Sequence, residues 1–284
     1  ITPATGSRRT PAMNESPYAQ LLPELTRIAR RAGDAILEIY GQDFEVIEKD
    51  DSSPLTQADL ASHRVIRDEL LQLTPDIPVL SEESADIPFA VRAGWSEYWL
   101  VDPLDGTKEF VNRNGEFTVN IALIREQEPL LGVVHVPVSG VTYTGLVGTA
   151  ATRIEPDGAS RPIQVRRPCA DPVIVVGSRS HANPELAARL EAIGPHELVS
   201  MGSSLKFCLV AEGRADFYPR LGPTCEWDTA AADAVVRAAG GKIVTLDGRP
   251  LRYNTKPSFL NPEFLVIADD SRDWLEPFRE YQRA

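Results

Sequence analysis

The first third of the chain passes from helical to extended patterns of hydrophobic residues. Apolar side chains recur at helical spacing over residues 21–39, before a stop at Gly41. A second helix is predicted to begin at Thr56, with its apolar stripe continuing to residue 73. Two apolar strands follow, IPVLSEES (77–84) and EYWLVDPLDG (97–106). Both strands run into acidic residues, so carboxylates are expected where strands end.

The rest of the chain mixes strands and helices. Short apolar runs punctuated by glycine and proline predict an antiparallel meander over residues 117–147. A buried strand is then predicted at 172–178, with further strands near 197–201 and at 216–220. Helices are predicted at 183–193, 203–213 and 228–241. The pattern indicates an α/β chain of alternating helix and sheet layers.

The order of these elements divides the chain into two predicted domains. We expect an N-terminal α+β domain at 13–160 and a C-terminal α/β domain at 161–284, because the composition turns polar and proline-rich around 155–168. Residues 1–12 lack periodicity and are interpreted as a disordered leader or cloning remnant before a natural start at Met13.

Composition restricts the classes of partner. The 284 residues carry a net charge of −12, which repels a polynucleotide backbone but leaves a small anionic substrate possible if cations are bound. No apolar run approaches the roughly 20 residues of a membrane span. Three cysteines without metal or redox spacing favour a reducing compartment, so we expect a cytoplasmic protein, with peripheral attachment to the inner membrane and the oligomeric state left open.

The segment DPLDGT (102–107) carries the first candidate chemistry. Asp102 and Asp105 flank a proline at the end of an apolar strand, and the main-chain carbonyl of Leu104 could add an oxygen ligand for a hard cation. The same residues also occur in ordinary turns for backbone reasons alone.

Three further carboxylates have structural alternatives of their own. Glu82 follows a strand and could be merely solvated, Asp59 stands three residues after Thr56 as in a capping box, and Asp228 could cap the alanine-rich helix. Gathered in one cleft, such carboxylates would repel by several kcal/mol unless cations neutralised them. Oxygen-only ligands favour magnesium over zinc.

Longer motifs carry a family resemblance. WLVDPLDGTKEF (99–110) and NRNGEFTVNIAL (112–123) closely resemble bacterial 3′(2′),5′-bisphosphate nucleotidases of the CysQ type, which belong to the lithium-sensitive inositol monophosphatase superfamily. KDDSSPLTQAD (49–59), GSRSH (177–181) and MGSSLKFCLVAEGRADFYPR (201–220) agree with it. The resemblance extends from about residue 20 to 268 and implies the layered αβαβα sugar-phosphatase fold.

The resemblance also implies roles for individual residues. The implied ligands of two or three Mg²⁺ ions are Glu82, Asp102, Leu104 (through its carbonyl), Asp105 and Asp228. Asp59 and Thr107 resemble the pair that orients the attacking water. The implied nucleotide contacts are Ser178, His181, Ser203 and Lys206. From the residues alone, His181 could equally be a loop histidine and Lys206 a solvated helix lysine.

The activity implied is hydrolysis of adenosine 3′,5′-bisphosphate (PAP) to AMP and phosphate, as in sulfate assimilation, with the phosphosulfate PAPS as a further substrate converted to APS. An inositol monophosphatase or fructose-1,6-bisphosphatase activity is the nearest alternative. Lys108-Glu109 argues against it, because the inositol enzymes typically carry Thr-Asn there. A non-catalytic nucleotide-binding regulatory protein is the alternative of another class, and loss of a metal ligand or of Thr107 would favour it.

Overall fold

The computed structural model describes residues 16–42, 54–178 and 184–279, and in them the chain forms two sheets separated and covered by helices. The helices are α1 (Leu21–Tyr40), α2 (Pro54–Leu73), α3 (Phe89–Arg92), α4 (Thr107–Val111), α5 (Pro184–Ile193), α6 (Leu205–Ala211) and α7 (Glu226–Ala238). Short 3₁₀ turns lie at Pro17–Gln20, Glu82–Ser84 and Glu276–Phe278.

The first sheet runs in the order β1-β2-β3-β4-β5-β6-β7 and is antiparallel except where β1 joins β2. Its strands are β1 (Val79–Ser81), β2 (Glu97–Asp105), β3 (Thr118–Arg125), β4 (Glu128–Val136), β5 (Val141–Leu146), β6 (Ala150–Ile154) and β7 (Ser160–Ile163). The sheet therefore belongs almost wholly to the first half of the chain.

The second sheet is mixed and runs in the order β11-β12-β10-β8-β9. Its strands are β8 (Val173–Ser178), β9 (His196–Met201), β10 (Phe217–Arg220), β11 (Lys242–Thr245) and β12 (Phe264–Ile267). Strands β8, β9 and β10 are parallel, so their carboxyl ends meet at one edge. The turn after β9 reaches the first sheet at that edge.

Side-chain alternation along the strands creates the layers. Ile121 and Leu123 of β3 face the core beneath α1 and α2, whereas Ala122 and Ile124 face the opposite core beneath α7. In β12, Phe264 and Val266 join that central core and Leu265 and Ile267 turn outward towards α5. The resulting order is α1/α2, first sheet, α6/α7, second sheet, α5, which confirms the predicted αβαβα fold.

Helix α7 approaches the first sheet unusually closely because glycines lie beneath it. A Cβ built on Gly132 of β4 would lie 2.1 Å from the carbonyl oxygen of Ala231, and one on Gly145 of β5 would lie 2.6 Å from Cα of Val235. Any larger residue would force the helix away from the sheet. A helix from the second half of the chain is thus seated on the sheet of the first.

Some sequence predictions need correction. Helix α2 begins at Pro54, so Thr56 lies inside the helix and does not cap it. Strands β6, β7, β11 and β12 were not predicted, and β7 runs past the proposed boundary at residue 160. The leader at 1–12 and Met13 lie outside the described residues. The division into two domains stays a prediction. No helix of the described residues is long and apolar enough to cross a bilayer.

Candidate active site

A cavity of about 330 Å³ lies where the acidic end of β2 meets the first turn of α7. The predicted site residues that line it are Glu82, Asp102, Leu104, Asp105, Thr107, Ser203, Lys206 and Asp228. The structure therefore brings together all five predicted metal ligands. His181 and residues 49–53 lie outside the described residues, and Ser178 is described only as the last backbone position of β8.

The end of β2 presents its two aspartates through an irregular stretch of strand. Asp102 still pairs with Asn120 of β3, but the register shifts before Asp105 pairs with Thr118. Asp102 Oδ1 accepts the N–H of Leu104 at 3.0 Å, which closes a tight local turn. Gly106 then takes a left-handed conformation, φ +97°, that favours glycine and starts α4 at Thr107.

Glu82 and Asp59 approach this turn from two other elements. Strand β1 is parallel to β2 with Ser81 opposite Val101, so Glu82, the next residue, arrives beside Asp102. Asp59 is buried on α2 at 8% exposure. On the same helix, Ser62 Oγ donates to the carbonyl oxygen of Pro103 at 2.8 Å, which ties α2 to the acidic turn.

Asp228 comes from the second half of the chain. It is the third residue of α7, and its Oδ2 accepts the N–H of Cys225 at 2.9 Å in a capping box. The prediction that Asp228 is the N-cap of this helix is wrong, because α7 begins at Glu226 and its N-cap is Cys225. The same carboxyl group lines the cavity.

The carboxylates act on one another electrostatically. Burial raises the pKa of Asp102 well above its usual range, and the charges of Asp105, Glu82, Asp228 and Asp59 raise it further. Burial, followed by the charge of Asp105, raises the pKa of Asp228 to about 7. Such a cluster is stabilised by any cation that enters it.

The donor set fits a hard divalent cation. Among the described residues, no three acidic, histidine or cysteine side chains are already placed so that they could hold a metal ion together. Asp102, Asp105 and Asp228 each direct one oxygen to a backbone N–H. Each carboxylate has a second oxygen, and carboxylate oxygens are the ligands that Mg²⁺ prefers.

Positively charged side chains also line the cavity. Lys206 on α6 is only 7% exposed, so the solvated alternative is wrong. Its Nζ lies 3.5 Å from the carbonyl oxygen of Met201 and 5.7 Å from the ring centroid of Tyr218. Burial lowers the pKa of Lys206 to about 8, although the charge of Asp105 opposes this shift. Beside it, Ser203 has φ +43° and a buried Oγ with no hydrogen-bond partner among the described residues.

Sequence reasoning missed several residues of this site. Arg220 lines the cavity from the end of β10, with its Nε and Nη2 donating to the carbonyl oxygens of Gly222 and Pro223. Ser204, Thr118 and Asn120 join the turn after β9 to Asp105. Arg220 ends a strand pattern and could have been singled out on that ground. The other three are recognisable only once β3 and the turn are adjacent in space.

Comparisons with known proteins agree with the fold. The inositol monophosphatase family matches residues 18–279, and the chain belongs to this family. It is 55% identical over 249 residues to the 3′(2′),5′-bisphosphate nucleotidase CysQ of Escherichia coli O157:H7, covering 87% of this chain and 99% of that protein. The enzyme of the same name from Escherichia coli K12 is 54% identical over the same shares.

A solved structure gives the same picture. The crystal structure of CysQ from Bacteroides thetaiotaomicron, described as a bacterial member of the inositol monophosphatase family, is 42% identical to this chain. The two superpose with a TM-score of 0.80, covering 92% of this chain and all of that one. The similarity thus spans both halves of the chain.

Proposed function

We propose that this chain is a magnesium-dependent phosphomonoesterase that converts adenosine 3′,5′-bisphosphate to AMP and phosphate. The observation that carries the proposal is that one cavity is lined both by carboxylates, from Glu82 to Asp228 (the acidic wall), and by the cations Lys206 and Arg220 (the cationic wall). The identity to nucleotidases over nearly their whole length supports the same substrate class.

The acidic wall would hold the metal ions. Glu82, Asp102, Asp105 and Asp228, with the carbonyl of Leu104, are the oxygen donors for two or three Mg²⁺ ions. When bound, these ions supply positive charge to the phosphate and acidity to a water molecule. The protein's own contribution is to keep the carboxylates together against their mutual repulsion, which the hydrogen bonds from Leu104 and Cys225 assist.

Thr107 and Asp59 would handle the attacking water. Thr107 begins α4 at the cavity wall, so its hydroxyl can accept a hydrogen bond from the water and pass one on to a carboxylate. Asp59 is buried and acts electrostatically on Asp102, so it lies in the same polar region. In this role it would draw the proton away as the water attacks.

The cationic wall would select a substrate with two phosphates. One phosphate is hydrolysed at the carboxylates, and the other needs compensating charge in a protein whose net charge is −12. Lys206 and Arg220 supply that charge in the same cavity, and the Ser203 hydroxyl can add a hydrogen bond. A substrate with one phosphate would leave this wall unused.

The test is phosphate release from PAP, inositol 1-phosphate and fructose 1,6-bisphosphate, each with and without magnesium. The expected result is a clear preference for PAP and no turnover in the presence of a chelator. Equal kcat/KM for PAP and inositol 1-phosphate would refute the substrate assignment. Undiminished turnover in chelator would refute the role of the acidic wall. Asp228→Asn serves as the inactive control for contaminating phosphatases.

A further inference from the structure

Ser204 occupies a position at which serine ordinarily caps its own helix. It precedes Leu205 as the N-cap of α6, a position at which a serine hydroxyl usually accepts an N–H from the first helical turn. In this structure Ser204 makes no such bond. Its side chain turns away from α6 towards the first sheet, so another interaction has replaced the cap.

The replacement is a buried hydrogen-bonded group across the two halves. Ser204 Oγ donates to Asn120 Oδ1 at 2.9 Å and lies 2.8 Å from Thr118 Oγ1. Because Ser204 has a single hydroxyl proton, Thr118 donates in the second bond. All three residues are at most 1% exposed. Ser204, Asn120 and Thr118 are called the Ser204 latch below.

The latch is tied to one of the predicted metal ligands. The N–H of Ser204 donates to Asp105 Oδ2 at 2.6 Å, and Asn120 Nδ2 lies 3.5 Å from the same oxygen. Thr118 is paired with Asp105 in the β2–β3 register. On its other side the latch holds the turn 202–206, which carries Ser203 and Lys206. It therefore connects the acidic wall to the cationic wall.

From these contacts we infer that the Ser204 hydroxyl is a positioning group that fixes the turn 202–206 against Asp105. The latch fixes the distance between the carboxylates and the cationic wall. The groups that bind the metal and the nucleotide are therefore already positioned before either binds. A looser latch weakens binding of Mg²⁺ and of the nucleotide together. The part concerning the nucleotide rests on the proposed function, whereas the part concerning Mg²⁺ does not.

The experiment compares Ser204→Ala with Thr142→Val as a matched control. Thr142 is also a buried hydroxyl, bonded to His135 Nδ1 at 2.9 Å, but it is not part of the cavity wall. Thermal unfolding is followed during Mg²⁺ titration without nucleotide, and KM and kcat are measured separately on PAP. Ser204→Ala should need about 3- to 10-fold more Mg²⁺ for half of the stabilisation, with a similar rise in KM and a smaller change in kcat. Thr142→Val should lower Tm but keep both values at wild type.

A Ser204→Ala protein that loses stability yet keeps the wild-type Mg²⁺ midpoint and KM would overturn the inference, since the latch would then be structural only. If Ser204→Ala does not fold, the nearly isosteric Thr118→Val removes the donor to Ser204 Oγ and is judged by the same two values. A wild-type protein that does not hydrolyse PAP would refute the proposed function, and the Mg²⁺ titration would still decide on the latch.

Discussion

The carboxyl group of Asp228 accepts the N–H of Cys225 and also lines the cavity, and Asp228→Asn separates these two roles. The amide oxygen of asparagine can still accept the N–H, but the negative charge is lost. Phosphate release should fall on the order of 10²–10³-fold, the usual loss when one electrostatic contact of a transition state is removed.

The stability of the same variant without metal provides the matching check. The raised pKa of Asp228, about 7, means that its charged form is disfavoured in the folded protein. The free energy of unfolding therefore falls as the pH rises from the pKa of Asp228 in the unfolded chain to its folded pKa of about 7. Above pH 7 this destabilisation is complete. Metal-free Asp228→Asn at pH 8 should therefore resist urea at least as well as wild type. A lower unfolding midpoint would show that the carboxylate stabilises the helix more than it crowds its neighbours.

Thr107 tests the handling of the water. Thr107→Val keeps the shape of the side chain at the start of α4 and removes the hydroxyl. Turnover should drop by about 10²–10⁴-fold, the range for a positioned proton acceptor, while Mg²⁺ binding measured by calorimetry stays near wild type. Normal turnover at saturating Mg²⁺ would exclude the hydroxyl from the reaction.

Lys206 should give the reaction a pH dependence specific to substrates with two phosphates. Burial lowers its pKa to about 8, so the ammonium loses its proton as the pH rises through 8. The kcat/KM for PAP should then decline above pH 8, and that for 3′-AMP should lack this limb. Lys206→Arg, charged throughout, should remove the limb, whereas Lys206→Ala should lower kcat/KM for PAP about 10- to 150-fold and spare 3′-AMP. Equal losses on both substrates would assign Lys206 to the fold.

Among the elements, helix α7 couples the stability of the fold to the site, because it packs closely against glycines of the first sheet and also carries Asp228. Gly132→Ala would place a Cβ 2.1 Å from the Ala231 carbonyl oxygen and push the helix outward. We expect a loss of about 1–3 kcal/mol in the free energy of unfolding and a weaker response to Mg²⁺, since α7 carries Asp228. Gly94→Ala is the control, because its Cβ would meet only an ordinary contact at 3.7 Å. Equal stability of the two variants in urea would contradict this packing.

Elements with a strong hydrophobic period were predictable from the sequence, and short edge strands were not. Helix α1 shows its buried stripe plainly at Leu25, Ile28 and Ile36. Strand β7 exposes Ser160 and Arg161 at the sheet edge, so no apolar pattern marks it. A proline at residue 162 is tolerated there for the same reason.

The candidate site was predictable to a different extent. The family resemblance identified the acidic residues, because they lie in motifs that are contiguous in the sequence. The burial of Lys206 depends on Tyr218 and on the turn after β9. The Ser204 latch joins residues more than eighty positions apart. Neither feature leaves a local pattern, because each arises from packing between the two halves.

At the scale of the whole molecule, metal binding should appear as stability. Buried carboxylates that repel one another are relieved by Mg²⁺, and a ligand that binds only the folded state raises its stability by mass action. At 100 times the dissociation constant this amounts to about 2.7 kcal/mol, and chelation should reverse the rise in Tm. An unchanged Tm across a Mg²⁺ titration would contradict metal binding at this cavity.

The close packing of α7 on the first sheet has a consequence for biosynthesis. Helix α7 leaves the ribosome about 90 residues after β4, and at roughly 5–20 residues per second that delay lasts on the order of 5–20 s. Throughout it, the face of the sheet around Gly132 and Gly145 lacks its natural cover. A nascent chain at this stage presents bare apolar sheet to the crowded cell, so this interval is where a chaperone would bind and where aggregation would begin.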